Sequence, residues 1–153
     1  MRSSGVTVLL LCLAACSANQ LSRKSPIAEP EVVIEQTSNV APAARNITGG
    51  ITVRFRVRVR NVASEVVKLK RIDLRSIGIG SYTIDNISRS FDVAINPGSE
   101  SAVEFWAPGY IADPSVSGAN GPVTLRAVML FDSQSGQLQT VVTQQVRSLT
   151  AAD

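Results

Sequence analysis

Ile51-Thr52-Val53-Arg54-Phe55-Arg56-Val57-Arg58-Val59-Arg60 places an apolar residue at every odd position and a polar one at every even position. A strand sends successive side chains to opposite faces, whereas a helix would scatter both sets around its circumference. The stretch therefore predicts a half-buried β-strand. One face is greasy; the other carries Arg54, Arg56, Arg58 and Arg60 in a row about 20 Å long.

Working outward, similar signals recur over Glu31 to Gln36, Val66 to Arg75, Ile77 to Ile84, Ser90 to Ile95, Ser101 to Ala107, Val123 to Phe131 and Gln137 to Arg147. Asn96-Pro97-Gly98 and Asp132-Ser133-Gln134-Ser135-Gly136 supply the fixed φ and permissive glycine that reversals need. Between Leu69 and Ile72 the apolar phase slips by one residue, which places a bulge near Lys70 or Arg71. No segment carries a helical period. Seven or eight short strands with regular turns predict an all-β, two-sheet antiparallel sandwich of immunoglobulin-like or fibronectin-like type, with a closed barrel as the alternative. Its expected core is Ile51, Val53, Phe55, Val57, Val59, Leu69, Ile72, Leu74, Phe91, Val93, Ile95, Val103, Phe105, Val123, Leu125 and Met129.

The N-terminus has a different character. Met1, Arg2, Ser3 and Ser4 precede an apolar run from Val6 to Ala15, the layout of an export signal. The run is about half the roughly twenty residues that a membrane-spanning helix needs. Leu13-Ala14-Ala15-Cys16 resembles the lipobox of bacterial lipoproteins. The resemblance implies cleavage before Cys16, recognition through Leu13, Ala14 and Ala15, and a Cys16 thiol carrying diacylglycerol and further acyl chains such as palmitate. It also implies a cell-envelope location, lipid-anchored. Ser17, rather than Asp, after the cysteine favours the periplasmic face of the outer membrane if the host is Gram-negative. An ordinary secretory signal cut after Ala18 is the competing reading.

The expected organisation is a signal peptide over residues 1–15, a lipidated N-terminus and flexible tether over 16–30, a sandwich over 31–149 and a disordered tail over 150–153. The tether's Ser, Ala, Asn, Gln, Lys, Glu and Pro cannot bury enough apolar surface to offset chain entropy. Arg23 and Lys24 within it are best taken as solubilising charges. The 153 residues leave room for one domain.

Composition removes whole classes of chemistry. The formal net charge of +3 is too mild to imply nucleic acid as a partner. There is no histidine, and of the two cysteines the lipobox resemblance implies that Cys12 would leave with the signal and Cys16 would be blocked by lipid. Intrachain disulfides, His-based triads and Cys/His zinc sites are thereby excluded. Asp132 with Ser133, Ser135 and Gly136 offers too few carboxylates for calcium and is better explained as a hairpin turn. Asp85, Asp92, Glu100 and Glu104 show no acid pair. No metal or cofactor is expected.

Two surfaces remain as binding candidates. The arginine row suits phosphate-rich headgroups, anionic glycans or an acidic partner, but a plain solvated sheet face neutralised by Glu65, Asp73 or Glu104 is the simpler expectation. Trp106 and Tyr110 precede a Gly/Pro/Ser-rich loop from Ala112 to Pro122. They can form an aromatic platform for a sugar or protein, although a tryptophan capping the end of the core is again the simpler expectation.

Val57-Arg58-Val59-Arg60-Asn61, then Val67-Lys68-Leu69-Lys70-Arg71-Ile72-Asp73-Leu74, then Asn96-Pro97-Gly98-Ser99 resemble the layout of LEA-2/WHy-type sandwich domains. The chain departs from that pattern at Val62, where the family often has proline. The resemblance implies a non-enzymatic sandwich linked to stress protection or envelope binding. The leading functional expectation is a non-catalytic envelope lipoprotein that presents its sandwich to a protein or glycan, with an accessory subunit of a larger envelope assembly as one form of it. The alternatives are a structural or stress-protective domain without a dedicated partner, and a serine/lysine hydrolase.

Overall fold

The computed structural model describes residues 28–37, 49–78, 80–111 and 122–147. Leu13, Ala14, Ala15 and Cys16, most of the tether, residues 112–121 of the long loop and the tail at 150–153 lie outside the described residues.

Among the described residues eight strands form: β1 (Glu31–Gln36), β2 (Gly49–Arg60), β3 (Val67–Ser76), β4 (Thr83–Ile84), β5 (Ile87–Ile95), β6 (Glu100–Ile111), β7 (Val123–Ser133) and β8 (Gly136–Val146). They make two four-stranded sheets, in the orders β1-β2-β6-β4 and β5-β3-β7-β8. Every pairing is antiparallel. With β1, β2 and β6 in one layer and β3, β7 and β8 in the other, the strand order matches the A-B-E and C-F-G sheets of an immunoglobulin-like sandwich.

The alternation in β2 is realised: Val53, Phe55, Val57 and Val59 are buried, while Arg56 and Arg60 are exposed. Facing them across the core, β3 contributes Val67, Leu69, Ile72 and Leu74, and β7 contributes Val123, Leu125, Ala127, Met129 and Phe131. Full burial of each large apolar side chain is worth roughly 1.5–3 kcal/mol. Three expected core residues are only partly buried. Ile51 lies beyond the stretch of β2 that β1 covers, and Phe91 and Val93 sit on the edge strand β5.

The register of β3 shifts between Leu69 and Arg71 against both neighbours, so the bulge stands where the phase slip placed it. At the Asn96 turn, Ser99 N donates to Asn96 O at 3.0 Å and Gly98 takes φ +73°. Proline followed by a left-handed glycine is the type II arrangement.

The strand expected over Ile77 to Ile84 is corrected to the two residues of β4. Gly78 turns left-handed at φ +72°, and the chain uses this stretch to cross from the β3 sheet to the β6 sheet. Ser76 Oγ secures the crossing, accepting from Ile84 N at 2.9 Å and donating to Ile84 O at 3.3 Å. β6 in turn runs past its expected end at Ala107 through Pro108 and Gly109. β4 pairs only with Gly109 and Tyr110, so beside Pro108 that flank of β6 is an open edge, where proline is tolerated.

Candidate functional site

The outer face of the β1-β2-β6-β4 sheet carries all six side chains singled out as possible binding residues. Because the pairing register sets Arg54 opposite Trp106, Arg56 opposite Glu104, Arg58 opposite Ala102 and Arg60 opposite Glu100, the arginine row is flanked by acids. Arg56 donates from Nε at 2.8 Å and from its terminal nitrogen at 2.6 Å to Glu104 Oε1. Arg58 meets Glu35 of β1 at 2.7 Å and Glu100 at 3.7 Å, and Arg60 meets Glu31 at 3.6 Å. Each exposed pair adds little stability, about 0–1 kcal/mol, but together they cancel the charge of the row.

Of the three expected neutralisers, Glu104 serves. Glu65 instead accepts from Ser135 N at 3.2 Å, and Asp73 pairs with Arg71 at 3.1 Å on the opposite sheet. Glu31, Glu35 and Glu100 do the remaining work. They stand beside the arginines only because β1 and β6 flank β2.

Trp106 does not cap the core. It lies on the outward face of β6 and is 45% exposed, and Tyr110 on the same face is 48% exposed. The parity of β6 explains this: Val103, Phe105 and Ala107 take the inward positions, so Trp106, Pro108 and Tyr110 take the outward ones. The Arg54 guanidinium lies 4.2 Å from the Trp106 ring centroid, a cation–π contact between cross-strand neighbours. From the second sheet, Arg89 donates to Trp106 O at 3.0 Å. Tyr110 O accepts from Thr83 Oγ1 at 3.2 Å. The result is an outward-facing surface of Trp106, Pro108 and Tyr110 on one strand, bordered by one arginine.

This surface stands at a defined place on the domain. Glu31, where the chain enters β1, is level with Arg60 and Glu100, whereas Tyr110 is level with Gly50 at the other end of β2. About 33 Å of strand separates those ends, at 3.3 Å per residue.

The opposite sheet carries its own neutralised pairs. Lys70 Nζ and Lys68 Nζ both donate to the Asp92 carboxylate, at 2.7 and 3.0 Å. The hydrogen bond from Lys70, then that from Lys68, holds Asp92 below the ordinary carboxylate range, and the same bond raises Lys70.

A shallow depression is lined by Val66, Lys68, Ala94, Asp132, Ser133 and Gln134. It brings a serine and a lysine together, yet each is committed elsewhere. Ser133 Oγ donates to Gly136 O at 2.9 Å and accepts from Ser135 N at 3.1 Å, while Lys68 holds Asp92. No nucleophile and base contact each other there. Among the described residues, no three His, Cys, Asp or Glu side chains gather as a metal site. No described helix is long and apolar enough to cross a membrane.

Neither a family model nor a curated protein matches the chain. Among solved structures, an X-ray structure of a structural-genomics target is similar at a TM-score of 0.52 and 11% identity, covering 81% of this chain and 87% of that one. A protein from Bordetella pertussis bearing the provisional name ApaA is similar at a TM-score of 0.51 and 12% identity, covering 83% of this chain and 98% of that one. At such identities the likeness is one of fold: the chain is an all-β, immunoglobulin-like antiparallel sandwich.

Proposed function

We propose that the protein is a non-catalytic envelope lipoprotein, anchored by lipid on Cys16, that presents the Trp106–Tyr110 face of its sandwich to a protein or glycan of the envelope. The observation that carries this reading is the outward, half-exposed placement of both aromatics on one strand face, with Arg54 stacked on Trp106. A tryptophan that contributes so little to the core costs solubility without adding packing, and exposed aromatics held rigidly are the usual currency of recognition. Planar apolar surface with a flanking cation suits sugar rings or an aromatic-bearing partner. The position also fits an anchored domain. Glu31, on the side from which the tether would enter, and the aromatic surface stand at opposite ends of β2, so an anchor there would leave that surface free.

Trp106 is the chain's sole tryptophan, so its fluorescence reports on this surface alone. The test titrates the purified protein with peptidoglycan fragments and envelope polysaccharide, which carry no tryptophan, and with solubilised envelope proteins whose own emission is subtracted by parallel titrations without the protein. A saturable change in emission with one fraction, lost in Tyr110→Ala, supports a binding module. Flat titrations with every fraction would put the structural or stress-protective reading ahead. Anchoring is tested apart from this, by metabolic labelling with palmitate: label is expected on the parent chain and absent from Cys16→Ser.

A further inference from the structure

Eleven lysines and arginines lie among the described residues, and eight of them have a partner. Arg56, Arg58, Arg60, Lys68, Lys70 and Arg71 meet carboxylates. Arg54 stacks on Trp106, and Arg89 donates to main-chain carbonyls. The remaining three, Arg75, Arg126 and Arg147, have no ion pair or side-chain hydrogen bond among the described residues. They are not scattered. All three stand toward one end of the β5-β3-β7-β8 sheet, the end at which β3 and β8 finish and β7 begins.

Arg75 and Arg126 are direct cross-strand partners in the β3–β7 register. Both occupy outward positions, since their neighbours Leu74, Leu125 and Ala127 are buried. Like charges placed directly opposite on adjacent strands destabilise a sheet. Elsewhere on this protein the same problem is solved with a carboxylate; here none is supplied. Asp73, two residues from Arg75 on the same face, is engaged by Arg71, and the exposed Asp85 makes no ion pair with either arginine. Beside them on the face, Thr143 is the partner of Arg126 on β8, Thr124 precedes Arg126 by two positions, and Gln145 stands opposite Thr124.

We propose that Arg75 and Arg126, with Thr124 and Thr143 beside them, form a binding site for a phosphate-type oxyanion. Two guanidinium groups carried on strands about 5 Å apart can converge on one tetrahedral anion. Each then exchanges repulsion for charge-assisted, forked hydrogen bonds, and the threonine hydroxyls donate to the remaining oxygens. A locally unfavourable pair in an otherwise charge-matched surface is the pattern expected where a ligand completes the structure. The site lies on the sheet opposite the aromatic surface and does not depend on the reading of that surface.

The experiment follows the arginine Nε–Hε NMR signals of the full chain during titration with inorganic phosphate, with chloride adjusted to hold ionic strength constant. The expected result is a saturable shift of two signals, assigned to Arg75 and Arg126 by their loss in Arg75→Gln and Arg126→Gln, with the Arg56 signal unmoved. Phosphate should also raise the melting temperature of the parent and leave that of Arg126→Gln unchanged. No shift would overturn the site, and so would a drift shared by all arginines, which means an adventitious ion only. Vesicles of phosphatidylglycerol and of phosphatidylcholine then separate the sources. The same two signals moving with phosphatidylglycerol alone assigns a lipid headgroup; movement with phosphate but with neither vesicle assigns a phosphate carried by a non-lipid ligand.

Discussion

Gln144 of β8 grips the main chain of Ile34 in β1 from the other sheet: its Oε1 accepts from Ile34 N at 3.0 Å and its Nε2 donates to Ile34 O at 2.8 Å. β1 is an edge strand, and an unpaired edge is a template for association with other chains. One side-chain amide here imitates a neighbouring strand, covering the edge and stapling the two sheets together. Gln144→Ala should lower stability by about 1–2 kcal/mol in urea unfolding. It should also speed hydrogen exchange at the Ile34 amide. Gln144→Glu keeps the acceptor but sets a carboxylate against Ile34 O, so its deficit should be larger at neutral pH than at acid pH.

Asn61 is fully buried at the end of β2 and ties three segments together. Its Nδ2 donates to Glu65 O at 2.8 Å and Ile95 O at 2.9 Å, and its Oδ1 accepts from Ala63 N at 2.9 Å. Its own main chain pairs with the Gly98–Ser99 turn. Asn61→Leu keeps the branched shape, adds bulk and strands all three main-chain groups. With about 1–3 kcal/mol at stake for each buried unsatisfied group, a loss of about 3 kcal/mol or more is expected by chemical denaturation.

Tyr82 is buried, and its hydroxyl donates to Gln36 Oε1 at 2.6 Å. Burial disfavours the phenolate and raises the Tyr82 pKa above its ordinary value of 10.0. A raised folded-state pKa contributes stability that is complete below the unfolded value and is lost as pH climbs from about 10 toward the folded value. Stability should therefore decline above about pH 10. Tyr82→Phe should flatten this alkaline limb while lowering stability at neutral pH, because Gln36 loses a donor. Unfolding curves collected across alkaline pH check both.

Gly109 lets β4 lie against β6. A Cβ there would stand 2.7 Å from both Ile84 Cδ1 and Thr83 O, and the latter is main chain. Gly109→Ala should displace β4 and cost about 1–3 kcal/mol. The accompanying change in Tyr110, whose carbonyl accepts from Thr83 Oγ1, would link this contact to the aromatic surface. Melting temperature and exchange at the Thr83 and Ile84 amides report the effect.

Much of this architecture was written in local patterns. The alternation from Ile51 to Arg60, the slip between Leu69 and Ile72 and the Asn96-Pro97-Gly98 turn each depend on neighbours along the chain, and each reappears in the structure. The misreadings share a different origin. Ile77 to Ile84 has strand-like residues, but Gly78 and the hydroxyl of Ser76 convert it into a crossing between sheets. Trp106 was expected at the core because large aromatics usually bury; the parity of β6, set by Val103 and Phe105, turns it outward.

Strand identity, turn chemistry and the polar-out, apolar-in division thus follow from residue order alone, because pleat and dihedral preferences act over two to four residues. The choice of β1 and β6 as neighbours of β2 belongs to the tertiary structure, as do the acids that quench Arg56, Arg58 and Arg60 and the meeting of Arg75 with Arg126. These depend on pairings between residues 19 to 66 positions apart along the chain. Such pairings are selected by the joint burial of two sheet faces, an energy that no single segment carries.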